Sequence, residues 1–232
     1  CPGGPVTLWA AGIAGMHPIS NVWCVITPPG QTGTGDLPSV SLTWNALSER
    51  YEAEWDGMTQ PGLYTLTFLA ADTAGQVSDP VQSEGILADA YEPDDRADQA
   101  ALYDGDPQIR TLHATEDEDW VRVFLLQDWI YDIETYHFSE PFDTMLELYR
   151  EMPAGSLERI NQADEEGSDS GEFLGIDYPE TGWYWVRVLP FREGTNTLGG
   201  YELSIDVPAA DGAGALIVLA VDDVTLGALP AG

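Results

Sequence analysis

The chain contains no lysine: its eight basic residues are all arginines, and they face 40 aspartates and glutamates. The formal net charge at pH 7 is therefore −32. A protein surface with this charge repels phosphate backbones and anionic lipid headgroups. We therefore predict no nucleic-acid partner, and the repulsion within the chain requires salt or bound cations to screen it.

Long apolar runs are also absent. The longest purely apolar run is Ala215–Val221, whereas a transmembrane helix needs about 20 such residues. Catalytic signatures are equally scarce, since there are only three histidines and no HExxH motif, no G-x-S-x-G elbow and no phosphate-binding glycine loop. The sequence predicts a protein with no transmembrane segment and no enzymatic activity.

The chain has only two cysteines, Cys1 and Cys24. They allow one disulfide in an oxidising compartment. Alternatively, Cys1 is the acylated first residue of a mature lipoprotein. We favour the disulfide, and both alternatives indicate an exported protein that is extracellular or bound to the cell surface.

Hydrophobic residues make up 44% of the chain, which is enough for substantial cores. In the first 88 residues they alternate with polar residues, for example at Val22, Cys24 and Ile26, and again at Tyr64, Leu66 and Phe68. Turn formers such as Pro61-Gly62 separate these runs. Alternation with a period of two predicts strands with one buried face, so the predicted fold class is all-β.

Acidic residues are unevenly distributed: 29 of the 40 lie between Asp89 and Asp206, and only eight precede Asp89. We place a domain boundary near residue 88. Two acidic clusters follow it, one at residues 92–95 and one at residues 116–119. Like charges that converge need a counter-charge, and calcium is a cation that binds six to eight oxygen ligands. A solvated acidic loop is the alternative.

Five motifs in residues 89–206 resemble the bacterial pre-peptidase C-terminal (PPC) domain: EPDD, EDEDWV, DTMLELY, TGWYWVRV and GGYELSI. The resemblance implies a jelly-roll-like β-sandwich with calcium ligands in the first two motifs. Carried over, the metal ligands are Glu92, Asp94, Asp95, Glu116 and Asp119, with Asp117 as a substitute. The chain departs from the family pattern at Ala90, where an acidic residue often stands, but Asp89 lies beside it, so the site is either incomplete or uses a shifted ligand.

Residues 1–88 carry a more generic resemblance to immunoglobulin-like and cadherin-like bacterial surface domains, in the stretch Gly62–Pro80. It implies a first β-sandwich. In cadherins the aspartate equivalent to Asp72 helps to bind calcium, but here we expect Asp72 to be a turn residue that hydrogen-bonds its own backbone.

Residues 207–232 combine a linker-like stretch with the apolar run Ala215–Val221, which we predict to be a strand. Such a strand must be covered by protein. It could close the first domain of its own chain, add to a neighbouring subunit, or begin a third domain. We expect self-association through this strand.

The sequence thus predicts a non-catalytic, calcium-stabilised extracellular structural or interaction protein, for example a surface or filament subunit joined by strand addition. The alternative is an accessory region of a secreted protease or other hydrolase that assists folding or localisation or binds a polymer. A polysaccharide or protein polymer is accordingly a further candidate partner.

Overall fold

The computed structural model describes residues 4–31, 35–137, 142–164, 171–177, 179–191 and 198–206. Within these ranges the chain forms β-sheets that are antiparallel except for one short parallel strand pair, and it forms no helix, which confirms the all-β class. No helix long and apolar enough to cross a membrane occurs in the part of the chain so described. Cys1 and the predicted strand Ala215–Val221 lie outside the described residues.

The first six strands form one sheet in the order β1-β4-β3-β2-β5-β6. They are β1 (Val6–Ala10), β2 (Ile19–Thr27), β3 (Ser39–Asn45), β4 (Arg50–Trp55), β5 (Gly62–Asp72) and β6 (Val81–Leu87). The first half of β3 pairs with β2 at Leu42 and Val40, and its second half pairs with β4 at Thr43 and Trp44. Because β3 changes partner along its length, the sheet folds over onto a core that includes Leu8, Val22, Cys24, Ile26 and Tyr64.

The following nine strands form two sheets. The four-stranded sheet has the order β13-β10-β15-β8, and the five-stranded sheet has the order β12-β11-β14-β9-β7. Their bounds are β7 (Ala101–Leu102), β8 (Gln108–Leu112), β9 (Asp119–Leu125), β10 (Ile130–His137), β11 (Thr144–Glu151), β12 (Leu157–Ala163), β13 (Phe173–Asp177), β14 (Gly182–Pro190) and β15 (Gly199–Asp206). Inward-facing residues of both sheets, such as Ile133 and Leu203 opposite Val121 and Val186, form one continuous core.

Each sandwich contains a tyrosine whose hydroxyl hydrogen-bonds the backbone four residues earlier. Tyr64 donates to the Gln60 carbonyl at 2.9 Å, and Tyr184 donates to the Glu180 carbonyl at 2.9 Å. Both tyrosines are buried near the start of a strand. This arrangement, known as a tyrosine corner in immunoglobulin-like sandwiches, fixes the turn that leads into the strand.

The two sandwiches meet where β5 and β15 begin. Gly62, at φ +126°, has no room for a side chain, since a Cβ there would lie 2.9 Å from Pro29 Cβ and 3.8 Å from Gly200 Cα. Glycine is the residue that tolerates both this backbone angle and this close approach.

Some local predictions need correction. The polar, acidic and Gly-containing sequence of Glu151–Gly171 predicts long loops, with a strand end at most at residues 159–161, but Leu157–Ala163 forms the full strand β12. β12 lies at the edge of its sheet with both faces largely exposed, so its sequence lacks apolar alternation. Strand alternation also predicts that Trp44 is a core or sandwich-edge residue, and its exposure of 55% excludes the core.

Candidate cation site

The candidate site lies where the segment that leads into the second sandwich crosses the turn between β8 and β9. The backbone N–H of Thr111 on β8 donates to Asp89 Oδ2 at 2.6 Å, and the N–H of Trp120 on β9 donates to the Asp94 carbonyl at 3.0 Å. These bonds hold residues 89–94 against both strands. They thereby bring the two acidic clusters together although more than 20 positions separate them in the sequence.

The outer part of the site is an open pocket of about 460 Å³. Four of the predicted ligands line it together with His113, namely Glu92, Asp95, Glu116 and Asp117. His113 Nδ1 lies 2.8 Å from Glu92 Oε1 and also contacts Asp117 Oδ2. Although they are this close, neither His113 Nδ1 nor Glu92 Oε1 has a hydrogen-bond partner among the described residues.

The inner part of the site is a buried network around Arg110. Its guanidinium forms an ion pair with Asp94, and both side chains are fully buried. The same guanidinium donates to Gln108 Oε1 at 2.8 Å and lies 4.2 Å from the centre of the Tyr91 ring. The predicted ligand Asp94 therefore has a protein cation as its partner.

Asp119 and Asp89 complete the inner part. Asp119 is fully buried and accepts a hydrogen bond from the Tyr201 hydroxyl. One carboxylate oxygen from each of Asp89, Glu92 and Asp119 lies within 4.8 Å of the other two. A second set with the same spacing consists of Glu92, His113 and Asp117. Glu92 thus connects the pocket to the inner network.

The carboxylates outnumber the cations. Five of them, Asp89, Glu92, Asp94, Asp117 and Asp119, surround one arginine and one histidine. Burial, reinforced by Asp117, raises the pKa of Glu92 to about 7. Burial also raises the pKa of Asp94 to about 6, despite Arg110. The pKa of Asp119 is raised by burial and by Asp94, and that of Asp117 by burial.

Several buried carboxylate oxygens have no hydrogen-bond partner among the described residues: Glu92 Oε1, Asp94 Oδ1, Asp117 Oδ1 and Asp119 Oδ1. Such atoms are costly to bury unless a proton, a water or a cation satisfies them. Ligand atoms within 4.8 Å of one another fit around a calcium ion, whose oxygen ligands lie at about 2.3–2.6 Å. The donor set therefore fits a hard divalent cation.

Sequence reasoning identified the acidic clusters and noted Asp89 beside Ala90 as a possible shifted ligand, but it missed Arg110 and His113 as members of the site. His113 precedes Asp117 by four residues across the β8–β9 turn. This short spacing could have indicated that His113 lies beside the second acidic cluster. Arg110 stands two places from Gln108 on β8 and gives no such signal.

Two other residues with potential functions have structural roles. Asp72 Oδ1 accepts from the N–H groups of Ala74 at 2.8 Å and Gln76 at 3.0 Å, as expected of a turn residue. Cys24 is buried in the first core and has no disulfide partner among the described residues, and burial raises the pKa of its thiol to about 11. Its pairing with Cys1 stays a prediction.

Comparison with known proteins shows distant likeness only. No family model and no curated protein matches the chain. Among solved structures, the chain is similar to the pre-peptidase C-terminal domain of collagenase from Bacillus anthracis (15% identity, 46% of this chain, 94% of that one, TM-score 0.37). It is also similar to the Yersinia pseudotuberculosis-derived mitogen (15% identity, 50% of this chain, 95% of that one, TM-score 0.33). A third is PliG from Aeromonas hydrophila, a periplasmic inhibitor of g-type lysozyme (14% identity, 44% of this chain, 85% of that one, TM-score 0.27).

Proposed function

We propose that this chain is a non-catalytic extracellular interaction protein whose second sandwich is stabilised by calcium. The observation that carries the proposal is the excess of buried carboxylates around Arg110 and His113, with four oxygens that have no hydrogen-bond partner among the described residues. A bound cation relieves their repulsion and satisfies these oxygens at once. A folded, calcium-loaded surface is then available for binding a partner.

Asp89, Glu92 and Asp119 supply an all-oxygen set for calcium, Asp117 belongs to a second set that shares Glu92, and Asp95 and Glu116 line the same pocket. In this arrangement Asp94 is held by Arg110 and contributes charge to the site through its free oxygen. The nitrogen of His113 would suit zinc better than calcium. The experiment that tests the site must therefore compare calcium with zinc.

The proposed architecture comprises an immunoglobulin-like domain at residues 1–88, a PPC-like domain at residues 89–206, and the segment 207–232. The separate cores of the two sandwiches support this division. The tyrosine corner at Tyr64 and the way β3 passes from β2 to β4 support an immunoglobulin-like first domain.

The calcium proposal is tested by thermal unfolding of the full chain after chelation, with calcium, magnesium or zinc added back. Calcium far above its Kd adds several kcal/mol of stability, so we expect Tm to rise by roughly 10 °C or more. Sodium chloride at matched ionic strength is the control for simple screening. An equal rise with sodium chloride overturns the proposal, and a rise only with zinc reassigns the metal.

The variant Glu92→Gln separates site binding from general charge effects. Removing this carboxylate from a crowded cluster should raise Tm of the metal-free protein and abolish the calcium response. The exposed Glu180→Gln removes the same charge outside the site and should leave the response unchanged. A calcium response that survives in Glu92→Gln contradicts the assignment.

The second candidate function is an accessory, polymer-binding region of a secreted hydrolase. Two half-exposed tryptophans on the first sheet favour it: Trp9 is 53% exposed, with Arg50 5.0 Å from its ring centre, and Trp44 is 55% exposed. Co-sedimentation with insoluble polysaccharide or collagen tests it, with Trp9→Ala and Trp44→Ala as variants. Unchanged sedimentation of these variants removes the tryptophans as contacts.

A further inference from the structure

The first sandwich has an open side between its two edge strands. In the described part of the chain β1 pairs only with β4, and β6 only with β5, so one edge of each strand is unpaired. A groove of about 660 Å³ lies between these edges. Its apolar lining includes Leu8, Val22, Leu66, Phe68, Ala70 and Val81.

The groove exists because β6 contributes little bulk on its inner face. Val81, Ser83 and Gly85 stand opposite Phe68, Leu66 and Tyr64 on β5. A serine and a glycine cannot cover these larger side chains, and Val81 itself is 66% exposed. Leu66 and Phe68 therefore stay only partly buried although they pack on the first core. One more apolar strand is needed to close this side.

We propose that the segment Ala215–Val221 from a second copy of this chain fills the groove as an additional strand between β1 and β6. The segment reads ALIVLAV, so whichever alternate set of side chains turns inward is wholly apolar. Seven extended residues span about 23 Å, the same length as the seven-residue strand β6. Strand addition would satisfy the unpaired backbone groups of both edges while alternate side chains enter the groove.

Charge also favours this segment. It has no charged residue in a chain of net charge −32, so docking brings no carboxylate against the groove rim at Asp79 and Glu84. The acidic residues Asp211, Asp222 and Asp223 flank the segment on either side. Their repulsion from the rim is screened by salt, so the assembly should strengthen as ionic strength rises.

The reach of the chain favours a second copy over the same chain. β5 and β15 both start at the Gly62–Gly200 contact and continue into separate cores. From that contact Asp206 lies about 20 Å along β15, and the groove starts at Leu66, about 13 Å along β5. The eight residues Val207–Gly214 span at most about 29 Å. The two strand lengths sum to about 33 Å when the strands point away from each other, which is slightly more than the linker spans, whereas a neighbour's groove imposes no such limit.

This inference rests on the proposed interaction function and is tested by site-directed cross-linking of full-length chains. One copy carries Ser83→Cys in the groove, and a differently tagged copy carries Val218→Cys in the segment. Both carry Cys1→Ser, and Cys24 is fully buried. A short bis-maleimide reagent should give a two-chain product that contains both tags.

The control replaces Ser83→Cys with Gln82→Cys, whose side chain lies on the other face of β6. We expect at least a tenfold lower yield from this control. Adding Leu216→Asp and Ile217→Asp together to the Val218→Cys copy places a carboxylate on whichever face turns inward and should abolish the product, because a buried, unpaired carboxylate opposes docking. Equal yields from Ser83→Cys and Gln82→Cys, or no product, overturn the proposal.

A chain that carries both cysteines distinguishes the two connections. A cross-link confined to one chain at low protein concentration shows that the segment fills its own groove, which overturns assembly through a second copy. The reaction is run with and without calcium. If calcium leaves Tm unchanged but the two-chain product still forms, the cation site is wrong and the groove proposal stands. If calcium raises Tm but no product forms, the groove proposal is wrong and the cation site stands.

Discussion

At the scale of single residues, Arg110 is the counter-charge that the protein itself supplies to the acidic cluster. It is one of eight basic residues, and its fully buried guanidinium is paired with a fully buried aspartate. Yet one cation cannot balance five carboxylates, which is why the pKa values of Glu92 and Asp94 stay raised, to about 7 and about 6. Arg110 thus neutralises part of the buried negative charge, and a bound metal ion would neutralise more of it.

Replacing Arg110 should therefore destabilise the protein strongly. Arg110→Met leaves Asp94 and Asp119 buried without their cation, and breaking such a pair costs about 3–5 kcal/mol. Urea unfolding with a chelator present measures this loss. The double variant Arg110→Met/Asp94→Asn should recover part of it.

The exposed pair Arg96–Asp98, with side chains 70% and 67% exposed, provides the control. Arg96→Met should change stability by no more than about 1 kcal/mol. If Arg110→Met cost no more than Arg96→Met, Arg110 would not be the counter-charge of the site.

The two tyrosine corners lead to a second residue-scale prediction. Tyr64→Phe removes the hydroxyl that bonds both the N–H and the carbonyl of Gln60, and losing a hydrogen bond of this kind costs about 0.5–1.5 kcal/mol. Tyr184→Phe should cost a similar amount. Differential scanning calorimetry should show each substitution lowering the unfolding transition of its own sandwich.

Tyr136→Phe is the control, because Tyr136 is 69% exposed and its substitution should have little effect. If Tyr64→Phe and Tyr184→Phe shifted the same single transition equally, the two sandwiches would unfold as one unit. That result would contradict the proposed division at residue 88.

At the scale of strands, sequence reasoning succeeded where one face of a strand is buried. β2, β9 and β14 alternate between buried and more exposed positions along most of their length, and such alternation is readable from the residues alone. It failed for β6 and β12, which are edge strands with much of their surface exposed. The structure of these two strands is determined by pairing with a neighbouring strand. Their own residues show no clear apolar alternation from which a strand could be predicted.

The same limit applies to the candidate site. The acidic clusters were visible as runs of carboxylates, but Arg110 occupies an inward position on β8, where a charged residue contradicts the expected alternation. Its partner Asp94 comes from a segment 16 positions away. Only the pairing of the segment 89–94 with both β8 and β9 reveals that these side chains meet.

The outer face of the five-stranded sheet has a second charge network, which crosses three strands. Glu147 on β11 accepts from Arg187 on β14 at 2.9 Å and from Tyr149 at 2.6 Å, and it pairs with Arg159 on β12. Burial alone would raise the pKa of Glu147, but these hydrogen bonds outweigh it and lower the pKa. The network thus ties the edge strand β12 to the centre of its sheet.

Because the folded pKa of Glu147 is lowered, its contribution to stability is present above its unfolded pKa and is lost as the pH falls through the folded pKa. Glu147→Gln should therefore cost about 2–3 kcal/mol at pH 7 and much less at pH 3. Chemical unfolding at both pH values measures the difference. The exposed Glu151→Gln on the same strand should have little effect at either pH, and a pH-independent cost of Glu147→Gln would contradict the ionic network.

At the scale of the whole molecule, the net charge of −32 and the acidic site both lower the stability of the metal-free protein as the pH rises. Raised carboxylate pKa values mean that the folded, metal-free protein holds more protons than the unfolded chain. The stability that Glu92 and Asp94 contribute is then fully present below about pH 4 and is lost as the pH rises through about 6 and about 7, the pKa values of Asp94 and Glu92. Self-repulsion of the remaining charges adds to this loss.

Calcium should reverse this pH dependence, because the ion binds the ionised carboxylates that protons would otherwise occupy. We expect Tm of the chelated protein to fall between pH 5 and pH 8, while Tm with calcium changes little. Competition with one proton on Glu92 alone weakens calcium binding about 100-fold at pH 5 relative to pH 8, which titration calorimetry measures directly.

Two variants provide the controls for this pH dependence. Tm of chelated Glu92→Gln should fall less between pH 5 and pH 8 than Tm of the chelated wild type, whereas Glu180→Gln should match the wild type. A chelated protein whose Tm rises from pH 5 to pH 8 would show that the acidic cluster is already balanced without a metal, and calcium would then have no structural role at this site.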